Sequence, residues 1–158
     1  MEIRKIQPAD NLQMAAIVRN VLMELGAPKI GSAYADPNLE TLYETYNTDR
    51  AVYYVLTIEN KIVGGAGVSQ LENGEECICE FQKMYFLSEA RGQGFARKIL
   101  DLCLQDAIDL GFTKCYLETM PYMQDAQRLY KRAGFYYLDK PMGDTGHTSC
   151  QVWMMKDL

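Results

Sequence analysis

No run in the 158 residues approaches the roughly 20 consecutive apolar side chains that cross a bilayer. Met1-Glu2-Ile3-Arg4-Lys5 leads into no signal-type apolar stretch, so the expected location is the cytoplasm, with no membrane partner. Positive charge is also short: 16 Lys and Arg against 21 Asp and Glu leave a net charge of -5, and the basic residues are scattered. A protein that holds nucleic acid needs a concentrated cationic face to displace counterions, so nucleic acid is excluded as a partner. An acidic body suits a cationic ligand better.

A disulfide framework is missing as well. The five cysteines are odd in number and sit mostly in apolar segments, as free thiols in a reducing compartment would. Cys77 and Cys79, two apart in a predicted strand, point to one face, but no second pair completes a tetrahedral metal site, so buried structural thiols and no metal are expected.

What is present is apolar patterning: 48% of the residues are hydrophobic, enough in a chain of this length for one core and too little for two, so 1–158 is expected to form one domain. A strand over Ile3 to Ile6 precedes a helix that Asp10 caps, with Met14, Ile17, Val18, Val21, Leu22 and Leu25 on one side, stopped by Gly26 and Pro28. A shorter helix is predicted from Asn38 to Tyr46. Strands follow at Ala51 to Ile58, Lys61 to Ser69 and Glu76 to Phe86, joined by turns at Glu59-Asn60 and Asn73-Gly74, so three antiparallel strands stand in a row. The helical period returns from Gly94 to Leu110, closed by Gly111. Lys114 to Thr119 reads as a strand, Gln124 to Ala133 as a helix ended by Gly134, and Phe135 to Leu138 and Ser149 to Lys156 as the last strands. The order implies an α/β (α+β) fold, a mixed sheet with helices on its faces.

Arg91-Gly92-Gln93-Gly94-Phe95-Ala96-Arg97 falls where a strand gives way to the long helix. Unsatisfied N–H groups and the positive end of the helix dipole point outward there, which makes an anion site. Glycines allow close approach of the anion, and Arg91, Arg97 and Lys98 add charge, so a loop that binds a diphosphate is one reading of these residues and a plain helix-capping turn is the other. The dinucleotide fingerprint fails because Arg97 stands where its third glycine belongs, and the Gly-Lys-Ser/Thr ending of the nucleotide-triphosphate loop is absent.

With its neighbours, this segment resembles the GCN5-related N-acetyltransferase (GNAT) superfamily. Arg91 to Ala96 matches the signature Arg/Gln-x-x-Gly-x-Gly/Ala; Glu80-Phe81-Gln82-Lys83-Met84-Tyr85-Phe86 is similar to its fourth strand and Leu117-Glu118-Thr119 to its fifth. Ala126, Leu129-Tyr130 and Gly134-Phe135 match the pattern of its last helix and following strand. The resemblance implies a mostly antiparallel central sheet of about seven strands flanked by about four helices, with acetyl-CoA as co-substrate and no metal. The fourth and fifth strands would splay, and the pantetheine arm would add to the sheet through backbone groups around Met84, Tyr85 and Phe86. An N–H at or next to Met84 would face the thioester oxygen. Amides of Gln93, Gly94, Phe95, Ala96 and Arg97, in the turn opened by Arg91 and Gly92, would hold the pyrophosphate. Glu80 is the candidate general base for the amine and Tyr130 the candidate donor to the departing thiolate. Many members carry Asn seven residues before that tyrosine; here Met123 occupies the position, so backbone groups or Gln124 would have to serve instead.

His147, the one histidine, lies in a turn-rich segment with Asp144, Thr145, Ser149 and Cys150, where local hydrogen bonds are expected and the spacing supports no nucleophilic triad. The function implied is acetyl transfer to a primary amine, whether of a small molecule, an amino acid or a protein, with a homodimer as a further expectation. A non-catalytic acyl-CoA-binding domain that reports to a protein partner is the alternative.

Overall fold

The computed structural model describes all 158 residues. The strands are β1 (Glu2–Lys5), β2 (Ala51–Ile58), β3 (Lys61–Gln70), β4 (Ile78–Phe86), β5 (Lys114–Thr119), β6 (Tyr136–Leu138) and β7 (Val152–Asp157); the helices are α1 (Asn11–Glu24), α2 (Leu42–Tyr46), α3 (Phe95–Asp109) and α4 (Gln124–Arg132). The strands form one seven-stranded sheet in the order β1-β2-β3-β4-β5-β7-β6. Every neighbouring pair is antiparallel except β4 and β5. This is the mixed, mostly antiparallel sheet with four helices that the sequence leads one to expect.

The two-residue period of β2 sorts the core. Val52 and Leu56 face the layer containing Ile99, Leu100 and Cys103 of α3, while Tyr53 and Val55 face Met14, Val18 and Leu22 of α1. The β2–β3 connection is the tight turn expected, with Glu59 and Asn60 both left-handed (φ 49° and 64°), the geometry whose twist suits a two-residue hairpin. Both α3 and α4 end as their glycines dictate. Phe112 N–H bonds to Ala107 O and Phe135 N–H to Tyr130 O, each following a left-handed Gly111 or Gly134, so the orphan carbonyls are satisfied as the chain turns.

Several expectations need correction. Asp10 makes no side-chain cap on α1; its carboxylate instead accepts from Gln7 N–H (2.7 Å) and from both terminal nitrogens of Arg4, tying β1 to the turn before the helix. Leu25, expected on the apolar side of α1, is instead its C-terminal cap and is 39% exposed, because the helix ends at Glu24 before the apolar stripe returns. The span Asn38 to Tyr46 splits into a 3-10 turn (Leu39–Thr41) and α2, with Leu39, Leu42 and Tyr46 still buried. Asn73-Gly74 lies within a longer connection, and β4 starts at Ile78 rather than Glu76. Cys77 therefore precedes the strand and packs beside Leu71 and Tyr116, on different neighbours from Cys79. β7 likewise starts at Val152, not Ser149. All five thiols are free; Cys79, Cys103 and Cys115 are buried, and Cys77 and Cys150 half-buried.

One local irregularity positions the site. Gly65 pairs with Tyr85 but Gly67 with Gln82, so Lys83 and Met84 together oppose Ala66, and Lys83 is left-handed at φ 53°. A bulge of this kind bends its strand. β4 pairs with β5 only from Ile78 to Glu80, opposite Lys114 to Tyr116, and beyond that the two parallel strands part.

Candidate active site

The parting of β4 and β5 opens a cleft lined by Glu80, Lys83, Met84, Glu118, Tyr130 and His147, among others. Along its β4 side the backbone is available. Leu87 N–H bonds to Val63 O on β3, so the two-residue alternation directs the N–H groups of Met84 and Phe86 to the unpaired edge. Phe86 O is taken by Arg91 Nε at 2.7 Å. The Phe86 ring lies on Gly64, where any Cβ would meet it at 2.2 Å, so the end of β4 rests on a position that only glycine fits. Tyr85 packs toward the α1 layer and also borders the cleft.

Past β4, Gly92 and Gly94 are left-handed (φ 72° and 82°), and Gly94 precedes α3 with no side-chain cap. The first amide bonded inward is Lys98, to Gly94 O, so the amides of Phe95, Ala96 and Arg97 have no partner in the chain. The side chains do less than their charges suggest. Arg91 makes a two-pronged pair with Glu24 of α1 (2.6 and 2.9 Å), Arg97 is held by Asp101, and Gln93 bonds to Glu89 O. The anion-binding capacity of this turn is therefore mainly main-chain.

Tyr130, on α4, is 6% exposed between Phe81 and Phe135 and lines the cleft. Burial pushes its pKa up, which keeps it protonated across the neutral range. Met123 lines the cleft where the family often carries Asn, and its Sδ accepts from Thr119 Oγ1. Gln124 is exposed.

Glu80 is 3% exposed. Burial raises its pKa to about 7, Glu118 adding to the rise, while the Gln82 amide and the charges of His147 and Lys83 oppose it. Gln82 is itself fixed, accepting from Tyr46 O–H (2.6 Å) and Ser69 O–H (3.1 Å), so its amide N–H donates to Glu80 in one orientation.

These observations match known proteins over most of the chain. Residues 20–135 fit the acetyltransferase (GNAT) family model. The chain belongs to the GNAT acetyltransferase family. It is 40% identical over 158 residues to the Escherichia coli protein YjgM, an uncharacterized N-acetyltransferase, spanning 99% of this chain and 94% of that one. Among solved structures, a GNAT-family acetyltransferase from Staphylococcus aureus superposes with a TM-score of 0.87 at 19% identity, over 99% of this chain and 98% of that one. The yncA protein of Salmonella typhimurium, solved with its cofactor acetyl-CoA, gives 0.79 at 19% identity, over 100% and 94%. At such identity these two establish the fold alone.

Within this GNAT fold, the site contains groups that the sequence did not single out. Lys83 Nζ pairs with Asp36 Oδ2 at 2.7 Å, both largely buried. Asp36 Oδ1 is bonded to His147 Nε2 at 2.9 Å, so the ring of His147 reaches across the molecule, while its main-chain N–H and C=O stay in the turn, on Thr145 Oγ1 and Cys150 N–H. Burial works against the Asp36 charge, yet His147 and Lys83 together hold its pKa down at about 2. Glu118 accepts from Tyr116 O–H (2.7 Å) and Thr145 O–H (2.8 Å). One ligand atom each from Glu80, Glu118 and His147 lies within 4.8 Å of the others, a spacing that a metal ion also tolerates. Glu118 and Glu80 already accept hydrogen bonds, and His147 is tied to Asp36. Asp36 carries no sequence signal at all; His147 is marked by its rarity and by its place in a loop expected to border the acceptor cleft, where it does lie.

Proposed function

We infer that this chain, acting as one domain, transfers the acetyl group of acetyl-CoA to a primary amine by direct attack. The observation that carries the reading is the cleft where β4 leaves β5, with Glu80 and Tyr130 both on its wall. Free amides at the start of α3 suit a pyrophosphate and the open edge of β4 suits an extended amide-bearing arm, so the residues present fit acetyl-CoA. When bound, that co-substrate supplies the thioester.

A protonated amine has no lone pair to attack with. Glu80, with its carboxylate titrating near neutral pH, takes a proton from the ammonium without being so acidic that it cannot hold one. Glu118, bordering the same space, adds the negative charge that draws a cation in. The Met84 N–H on the open edge is placed to stabilise negative charge on the carbonyl oxygen. Tyr130 donates to the thiolate as the C–S bond breaks. Arg91, on this reading, fixes the turn to α1 and does not hold the ligand.

The test is release of free CoA from acetyl-CoA, separated chromatographically, against polyamines, amino acids, aminoglycosides and lysine or N-terminal peptides. Acceptor-dependent release supports the enzyme and names its substrate class. Tight acetyl-CoA binding with no release for any acceptor favours a binding domain, and no binding overturns the reading of the Gly92 to Arg97 turn.

A further inference from the structure

A base as buried as Glu80 has a problem that its reaction does not solve. Converting an ammonium and acetyl-CoA to an amide and CoA thiol liberates one proton per turnover. Two protons leave the nitrogen as the C–N bond forms and the C–S bond breaks. The second is balanced within the site, because it replaces the proton that Tyr130 gives to sulfur. The first sits on Glu80, which is 3% exposed and must lose it before the next ammonium arrives. Gln82, its hydrogen-bond partner, cannot carry a proton onward.

We propose that His147, held by Asp36, is the route by which Glu80 returns that proton to solvent. The inference rests on the reading of Glu80 as base. Nε2 of His147 bonds to Asp36 Oδ1 at 2.9 Å, and since Asp36 is a carboxylate it can only accept, so Nε2 carries the hydrogen. In the neutral ring Nδ1 is then the basic nitrogen. His147 lines the cleft beside Glu80 and Glu118, with one ring nitrogen within 4.8 Å of a carboxylate oxygen of each, a separation that one water spans. The O–H of protonated Glu80 gives its proton through that water to Nδ1. The imidazolium, stabilised by Asp36, then releases it at the cleft. Asp36 is a positioning residue in this scheme.

The charged groups around the ring are consistent with this work. Lys83 of β4 discourages a second positive charge, Glu80 of β4 favours one, and Asp36 favours it most directly, with Glu118 of β5 also facing the ring; Cys150, in the same loop, is pushed up to about 12 mainly by burial and stays a thiol. The balance leaves the pKa of His147 above its ordinary value, against the effect of burial. Lys83 is committed to Asp36 and so holds the far side of the pair in place.

As the one histidine in the chain, His147 gives a single ring signal, so its titration is readable by NMR in EDTA-treated protein with no acceptor present. The neutral ring is expected to carry its hydrogen on Nε2, and Glu80→Gln is expected to lower the His147 pKa by about half a unit or more. A hydrogen on Nδ1, or a titration that Glu80→Gln leaves unmoved, overturns the proposal. With an amine found in the CoA-release panel, His147→Gln should lower steady-state turnover about tenfold or more. Its first turnover, in rapid mixing, should keep the wild-type rate, and added imidazole should restore the rest. Equal loss in both phases without rescue overturns the relay by assigning His147 a structural role. Failure of the acetyltransferase reading looks different: wild type itself releases no CoA with any amine, and the NMR coupling still decides whether the Glu80–His147 pair exists.

Discussion

The two ends of the cleft are made of different material. At the glycine turn, the free polar groups are consecutive main-chain amides, and the nearby arginines are turned away to Glu24 and Asp101. At the other end, where β4 leaves β5, the groups are side chains from Asp36, Glu80 to Lys83, Glu118 and His147, brought together from segments far apart in the chain. A main-chain site needs only local geometry, so it can hold the same pyrophosphate whatever the flanking side chains are. A side-chain site has to bury charge, which is costly, but each member can be tuned by its neighbours. Recognition that never varies suits the first kind of site, and choice of acceptor and handling of protons suit the second.

The sharpest way to break the comparison is at the side-chain end. Tyr130→Phe removes one oxygen from a packed ring, and turnover should fall about a hundredfold while acetyl-CoA affinity, measured by calorimetry, stays nearly intact. Unchanged turnover would remove Tyr130 from the reaction. Glu80→Gln should lower kcat/KM at pH 8 by about thirtyfold, since water can replace the base in part, and should abolish an acid limb of the pH profile. In wild type that limb rises through about pH 7, because only the ionised carboxylate accepts a proton. The same variant should be more stable. A carboxylate whose pKa is raised from 4.5 to about 7 by folding loses stability as pH rises from 4.5 toward 7, so Glu80→Gln melts higher at pH 8 and the gap closes toward pH 4.5. A variant that is slower and no more stable would mean that Glu80 is not held against its solvation.

The same contrast explains what was legible in the sequence. Gly92, Gly94 and Gly111 announce their turns because left-handed backbone leaves few residue choices, and the β2 alternation and α3 period announce their faces because one side must be buried. The strand order and the parting at Glu80 follow from motif order through family resemblance; no local pattern marks the bulge, which sits at Lys83, a residue with no conformational preference for it. Asp36 was invisible because its partners lie 47 and 111 positions away, and a carboxylate in a polar connection looks the same whether it faces solvent or Lys83. His147 was misread for the same reason: the turn residues around it are real, but its ring answers to Asp36.

At the main-chain end the expected effects are smaller. Gly94→Ala forces an L-residue into a left-handed conformation at a cost of about 1–2 kcal/mol, so acetyl-CoA should bind roughly tenfold more weakly with turnover at saturation unchanged. No Cβ clash complicates the experiment, because nothing lies within 4 Å of that position. A loss of turnover with unaltered affinity would show that the turn positions the thioester instead of holding the pyrophosphate.

Arg97→Ala is the finest test. Its guanidinium already accounts for its charge on Asp101 (2.8 and 2.9 Å), one helical turn along an exposed face, and such a pair contributes only a few tenths of a kcal/mol. If the anion is held by main-chain amides, removing this side chain changes acetyl-CoA affinity by less than about threefold, and the small change should fade as salt is added. Asp101→Ala separates the two ways in which that result could arise. Freed from its partner, Arg97 would tighten acetyl-CoA binding slightly if it can swing to the pyrophosphate, and would leave it unaltered if α3 directs it elsewhere. A tenfold loss in Arg97→Ala would instead mean that the arginine leaves Asp101 when the ligand arrives, and the glycine end would then be built from side chains after all.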